Sequence, residues 1–191
     1  MKLTQLLERL KYEVVQGDDQ IEVTELINDS RKVTEGSVFV CISGAVSDGH
    51  AYVQQVAEKG AAAVIVEKDV EAPEGLTVIK VENTRYALAL TSAAYFGYPA
   101  EKLKVIGITG TKGKTTTTYM VKSILEEVGI KVGLIGTIEA IIGDKSIPAN
   151  NTTPESYTIQ KYFSEMVEEG CECVVMEVSS QAVSYTHLRA H

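Results

Sequence analysis

Residues 107–118 read G-I-T-G-T-K-G-K-T-T-T-T, and no other stretch constrains the chain as much. An apolar run around Leu103, Val105 and Ile106 precedes it, and apolar residues at helical spacing (Met120, Val121, Ile124, Leu125) follow it. A strand, a tight glycine loop and a helix start in that order aim several backbone N–H groups at one point, at the positive end of a helix. Such a point binds phosphate. The candidate nucleotide-binding residues are Gly110, Thr111, Lys112, Gly113, Lys114, Thr115 and Thr116. Lys114 would neutralise terminal phosphates, and the Thr115 hydroxyl would reach Mg²⁺. A strict G-x-x-x-x-G-K-T spacing needs glycine at position 108, where this chain has Ile108, so the loop is a variant of that pattern.

Charge agrees with a small anionic ligand rather than a large one. The net charge is −8, with 15 acidic against 9 basic residues in positions 1–100 and 11 against 9 in the rest. Bulk attraction to nucleic acid or to an anionic membrane is therefore not expected, and neither is counted as a partner. Lys102, Lys104, Lys112 and Lys114 nevertheless gather near the loop with only Glu101 beside them. The amino terminus lacks the apolar core of a signal peptide, and no apolar run is long enough to span a bilayer. Cys41, Cys171 and Cys173 form an odd set without paired spacing, which predicts a reducing, cytoplasmic setting and a role as small core residues. Cys171 and Cys173 are expected on one side of a strand. A monomer is expected.

Hydrophobic residues make up 45% of the 191 positions, enough to bury a core. The fold class read from the pattern is α/β: a small N-terminal α/β domain over residues 1–100, then the start of a P-loop domain with a doubly wound, mostly parallel sheet over 101–191. In the first part, helices are predicted at 3–10, 50–59 and 84–96, with strands at 21–26, 37–42, 63–67 and 77–81. Gly97-Tyr98-Pro99 ends the third helix. In the second, strands are predicted at 103–108, 132–135 and 173–178, with helices from the loop to about residue 127 and from 155 to 169.

Three further stretches carry candidate chemistry. N-D-S-R at 28–31 opens a segment running to D-G-H at 48–50, in which Ser30 is the leading binding candidate; Asp48 and His50 read equally as a helix-start cap. In N-N-T-T-P-E at 150–155, Asn151, Thr152 and Thr153 could meet a carboxylate or phosphate. Thr153 or its neighbour could also simply cap the following helix, with Pro154 in the first turn. M-E-V-S-S at 176–180 places Glu177 at the C-terminal end of a parallel strand, where open α/β sheets bind ligands. Glu177 and Thr115 are the candidate metal residues, because Mg²⁺ takes hard oxygens and few of them from protein.

Residues 109–116, T-G-T-K-G-K-T-T, resemble the loop of the Mur ligases, down to the missing glycine at 108. The D-S-R, N-T-T-P and E-V-S-S stretches resemble the branch of that family that extends a UDP-linked muramoyl dipeptide with a diamino acid. The resemblance implies an ATP- and Mg²⁺-dependent acid–amino-acid ligase of cell-wall peptidoglycan synthesis. Its catalytic residues would be Lys114, Thr115 and Glu177, and Ser30, Asn151, Thr152, Thr153 and Ser179 would contact UDP-N-acetylmuramoyl-L-alanyl-D-glutamate. Lys114, the loop amides and Mg²⁺ would stabilise charge as ATP phosphorylates the free carboxylate, and the amine of meso-diaminopimelate or lysine would displace the phosphate. A folate polyglutamate synthetase-like ligase, or a non-catalytic nucleotide- or UDP-muropeptide-binding fragment, are the alternatives. The family's C-terminal amino-acid-binding domain is absent from these 191 residues, so a truncated form, inactive alone, is expected. Residues 184–191 depart from the family pattern and are read as foreign sequence.

Overall fold

The computed structural model describes residues 1–44 and 47–180, so the expectation for 184–191 lies outside the described residues. The chain divides into two compact units, Met1–Tyr95 and a second beginning at Phe96.

The first unit runs α1 (Leu3–Leu7), β1 (Glu13–Gln16), β2 (Leu26–Ile27), β3 (Val38–Val40), α2 (Val53–Glu58), β4 (Ala63–Val66), β5 (Thr77–Lys80) and α3 (Thr84–Tyr95). Its sheet has the order β1-β5-β4-β3-β2. The four strands β2 to β5 are parallel and β1 joins antiparallel at the edge. Val64 and Val66 of β4 pack with Phe39, Val53 and Val56 in one cluster under α2, while α1 and α3 pack together, with α3 against β2, β3 and β4. Alternation along β3, β4 and β5 feeds two buried faces, which is why these strands read as continuous apolar runs.

Three predicted elements differ from expectation. The strand expected at 21–26 is only β2, because the backbone before it is spent elsewhere: Val23 N–H donates to Met1 O, and Thr24 N–H to Gly36 O. The helix expected at 3–10 ends at Leu7. The helix expected at 50–59 starts as a 3-10 turn, Gly49–Tyr52, with Asp48 accepting from the His50 N–H.

The second unit runs β6 (Lys104–Ile108), α4 (Lys114–Glu127), β7 (Val132–Ile135), β8 (Glu139–Ile142), β9 (Lys145–Pro148), α5 (Ser156–Glu168) and β10 (Cys173–Glu177). The strand order is β6-β10-β7-β8-β9. β10 lies parallel between β6 and β7, whereas β8 and β9 add an antiparallel hairpin. The sheet is thus mixed, and parallel in the three strands that carry the site. Helices cover both faces. Cys173 and Val175 meet the α4 side with Val132, while Val174 and Met176 meet the α5 side with Phe163 and Met166.

That alternation corrects the expectation for the cysteines. Cys171 precedes β10 and packs on the α5 side, and Cys173 on the opposite side. All three cysteines are free and buried, and burial pushes the Cys41 thiol up to about 12. Among the described residues no helix is long and apolar enough to cross a membrane.

Candidate functional site

The glycine loop joins β6 to α4. Gly110 has φ +151 and Gly113 has φ +82, the left-handed region that a side chain would strain, so the two glycines make the turn possible. Gly113 is the N-cap of α4 and supplies no side-chain cap, which leaves the first N–H groups of the helix open at its positive end. Thr111 and Lys112 are exposed on the loop, and the Lys114 ammonium bends back to donate to Gly110 O at 2.8 Å. Lys114 therefore lies over the concavity that a phosphate would enter.

Glu177 ends β10 on the α4 side of the sheet and is 1% exposed. A carboxylate this buried needs donors, and it has them. Oε2 accepts from Thr115 Oγ1 at 3.1 Å and from Thr137 Oγ1 at 3.0 Å, and Oε1 accepts from Thr137 N–H at 2.9 Å. Gly136 permits this approach: a Cβ there would lie 2.7 Å from Oε1. Thr137 stands in the turn between β7 and β8. Its hydroxyl also meets Thr152 Oγ1 at 3.1 Å.

Thr153 and Ser179 complete the cluster. Thr153 Oγ1 donates to Glu177 O at 2.9 Å and accepts from Ser179 N–H at 3.1 Å. The Thr153 hydroxyl, which could have capped α5, is thus used at the end of β10 instead. The N-cap of α5 is Glu155, without a side-chain cap bond, and the helix begins at Ser156, after Pro154. Asn151 is exposed in the same loop. Thr115, Thr152, Thr153, Glu177 and Ser179 are brought together around the C-terminal end of β10.

One turn along α4, Tyr119 donates to Glu139 Oε1 at 2.6 Å, and Ser146 hydrogen-bonds the same carboxylate. Burial, then this hydrogen bond and the charges of Glu139 and Glu177, push the Tyr119 phenol up to about 12. Donation from Ser146 and Tyr119 lowers the Glu139 carboxyl. Glu139 so ties the β8–β9 hairpin to α4 and braces the Thr137 turn. An open groove of about 530 Å³ runs along α4 from Thr115 and Thr116 past Tyr119 to Met120 and Ile124. Met120, Ile124 and Val128 are 59%, 64% and 69% exposed.

In the first unit, Ser30 lies just beyond β2, at the C-terminal edge of the parallel strands. The Arg31 guanidinium donates to Asp29 at 2.9 and 2.8 Å and the Arg31 backbone N–H at 3.1 Å, which together hold the carboxyl down to about 2. Lys59 donates to Ser30 O at 2.7 Å. Asp48 and His50 are committed to the fold. Glu67 N–H donates to His50 Nε2, so Nδ1 carries the proton and donates to Asp48, which Lys68 also engages. Lys68 and then His50 lower the Asp48 carboxyl.

Two family profiles match this chain. One, described as "Mur ligase family, catalytic domain", covers residues 22–146. The other, "Mur ligase middle domain", covers 108–190. The chain belongs to the Mur ligase family. A UDP-N-acetylmuramoyl-L-alanyl-D-glutamate–2,6-diaminopimelate ligase of Clostridium perfringens is 49% identical over 183 residues, 96% of this chain and 38% of that protein. The ligase of the same name from Bacillus velezensis is 49% identical over 187 residues, 96% of this chain and 37% of its own length. A solved structure of a ligase so named superposes with TM-score 0.79 at 19% identity over 100% of this chain and 38% of its own, a likeness of fold. This Mur ligase chain therefore spans under two-fifths of the curated relatives it matches.

Thr137 and Gly136 are the site residues that sequence reading missed. Thr137 is 40 positions from Glu177, and no local pattern joins the two.

The donor set suits a magnesium ion. Glu177 and Thr115 offer hard oxygens beside an open helix N-terminus, and Thr137 donates to both oxygens of the carboxylate. Among the described residues, no three His, Cys, Asp or Glu side chains converge as an all-protein metal cage. An ion held here would draw its remaining ligands from phosphate and water, as Mg²⁺ usually does.

Proposed function

We propose that this chain contributes the nucleotide- and muropeptide-binding parts of an ATP-dependent ligase that adds 2,6-diaminopimelate to UDP-N-acetylmuramoyl-L-alanyl-D-glutamate. The observation that carries the reading is the hydrogen-bonded convergence of Thr115 from the loop helix, Glu177 from β10, and Thr152 and Thr153 from the N-T-T-P loop. Phosphate-binding and substrate-contacting candidates meet there at one strand end, as joining ATP to a carboxylate substrate requires. Diaminopimelate, rather than lysine, is taken from the names of the relatives. Those names also favour this reading over a folate polyglutamate synthetase.

The open N–H groups of residues 114–116 and the Lys114 ammonium bind the terminal phosphates and neutralise their charge. Glu177 and Thr115 would hold Mg²⁺, which supplies further neutralisation of the phosphate oxygens. In the reaction, a substrate carboxylate oxygen bonds to the γ-phosphorus as the bond to the β,γ-bridging oxygen breaks. The amine nitrogen then attacks the acyl carbon, loses a proton and expels phosphate. Thr152, Thr153 and Ser179 are the candidates for orienting the substrate, and Ser30, in the loop beyond β2, is the candidate for its uridine end. Asn151, exposed beside Thr152 and Thr153, is the further candidate for the peptide part. The requirement for ATP and the three reduced, buried thiols fit a cytoplasmic location.

Calorimetric titration with UDP-N-acetylmuramoyl-L-alanyl-D-glutamate tests the substrate assignment. The reading expects saturable binding that weakens in Ser30→Ala and in Thr152→Ala. A folded chain that does not bind the compound would overturn it.

A further inference from the structure

The hydroxyl of Thr137 lies within hydrogen-bond distance of both Glu177 Oε2, at 3.0 Å, and Thr152 Oγ1, at 3.1 Å. A hydroxyl carries one proton, so it can donate in only one of these contacts. An ionised carboxylate cannot donate, which fixes the direction. Thr152 Oγ–H donates to Thr137 Oγ, and Thr137 Oγ–H donates to Glu177 Oε2. The Thr137 backbone N–H meanwhile holds Oε1 at 2.9 Å. One residue therefore engages both oxygens of the carboxylate, and Thr115 adds a further donor to Oε2.

We propose that Thr137 is the positioning residue of Glu177, fixing the carboxylate in the orientation that meets a divalent cation and tying it by its hydroxyl to Thr152. The inference rests on the reading of Glu177 and Thr115 as the metal pair. Its consequence for Thr152 follows from the same proton count. With its proton committed to Thr137, Thr152 presents lone pairs outward and recognises a donor, such as an amide N–H or a hydroxyl of the substrate, rather than a carboxylate. Glu177 is 1% exposed, so a lost donor is not replaced freely by water.

The test compares Thr137→Val, which keeps the shape and the backbone N–H but removes the hydroxyl, with Thr137→Ser, which retains the hydroxyl. ATP affinity is measured by calorimetry with Mg²⁺ and again with EDTA, and the ratio of the two affinities is the readout. The expected result is a fall of about tenfold in that ratio for Thr137→Val and a ratio close to wild type for Thr137→Ser, as for loss of a hydrogen bond to a charged group. A merely structural role would move both affinities together and leave the ratio unchanged. That result, or no change in Thr137→Val, overturns the proposal. Wild-type binding of ATP with no Mg²⁺ dependence would instead remove the metal reading itself, and this proposal with it. Hydrogen exchange of the Thr137 amide in the ligand-free chain gives a second readout. Glu177→Gln, whose neutral oxygen is a weaker acceptor, should speed that exchange, and unchanged exchange counts against the placement.

Discussion

Gly136→Ala isolates the contribution of close packing at the site. The φ of Gly136 is outside the left-handed region, so alanine meets no backbone strain there and acts only through its Cβ. That atom would stand 2.7 Å from Glu177 Oε1, where ordinary contact begins at 3.4 Å. The carboxylate or the turn must yield by about 0.7 Å, comparable to the slack of a hydrogen bond. The Thr137 N–H bond at 2.9 Å stretches beyond useful length if the carboxylate moves directly away. Losing one hydrogen bond to a buried charged group costs about 1.5–3 kcal/mol. Urea unfolding should show that loss at unchanged slope, and the Mg²⁺ dependence of ATP binding should fall with it. Destabilisation below about 0.5 kcal/mol, within the range of a neutral surface change, together with unaltered Mg²⁺ dependence would refute the reasoning.

Other substitutions probe separate parts of the account. Lys114→Met, which keeps length and removes charge, should lower ATP affinity by tenfold or more in calorimetry, on the scale of a charge-assisted bond of about 1.5–3 kcal/mol, while leaving the melting temperature near wild type. Thr153→Val leaves Glu177 O and Ser179 N–H without their shared hydroxyl and should destabilise the chain by about 1–3 kcal/mol in urea unfolding. Ultraviolet difference titration between wild type and Tyr119→Phe should place the Tyr119 phenol near 12. Its raised value means stability present below 10 and lost as pH rises through 12, and Glu139→Gln should move the midpoint down while burial keeps it above 10. The Asp29 carboxyl, held near 2 by Arg31, contributes stability above its ordinary value of 3.8 that is lost as pH falls toward 2. Arg31→Ala should reduce that acid-limb dependence in pH-dependent unfolding without removing it, because the backbone N–H of residue 31 still donates to Asp29.

The elements legible in the sequence were those whose signal is local. β6, the glycine loop and α4 follow from a short apolar run, two glycines and helical spacing, and β10 from an apolar run ending in a lone carboxylate. β1 was missed because its residues are largely exposed, in a burial pattern without alternation, and it pairs antiparallel at an edge with an irregular register. The β8–β9 hairpin was missed although its signal was present: Gly143-Asp144 stands between two short runs, and Ile142 pairs with Lys145 across that turn. The strand expected at 21–26 failed for the opposite reason, since an apolar alternation there serves loop contacts to Met1 and Gly36.

Candidate residues for the site could be named one by one from the sequence, but not their wiring. Lys114, Thr115 and Glu177 could be chosen from chemistry and spacing, whereas the bonds from Thr137 and Thr153 to Glu177 span 40 and 24 positions. Thr153 shows how a local pattern leaves two uses open. Its position ahead of Pro154 and a helix also allows a cap, yet the sheet brings Glu177 O and Ser179 N–H within reach and takes the hydroxyl. Asp48 and His50 show the converse, because the cap expected from D-G-H is what the structure contains.

The pairing of Glu177 with the loop as a metal-nucleotide site is tested most directly by ATP affinity in wild type and Glu177→Gln, each with Mg²⁺ and with EDTA. The account predicts that the substitution weakens binding by about tenfold or more in Mg²⁺, the loss of one charged ligand interaction, and leaves binding in EDTA close to wild type. Equal affinities for the two proteins in Mg²⁺ would contradict it.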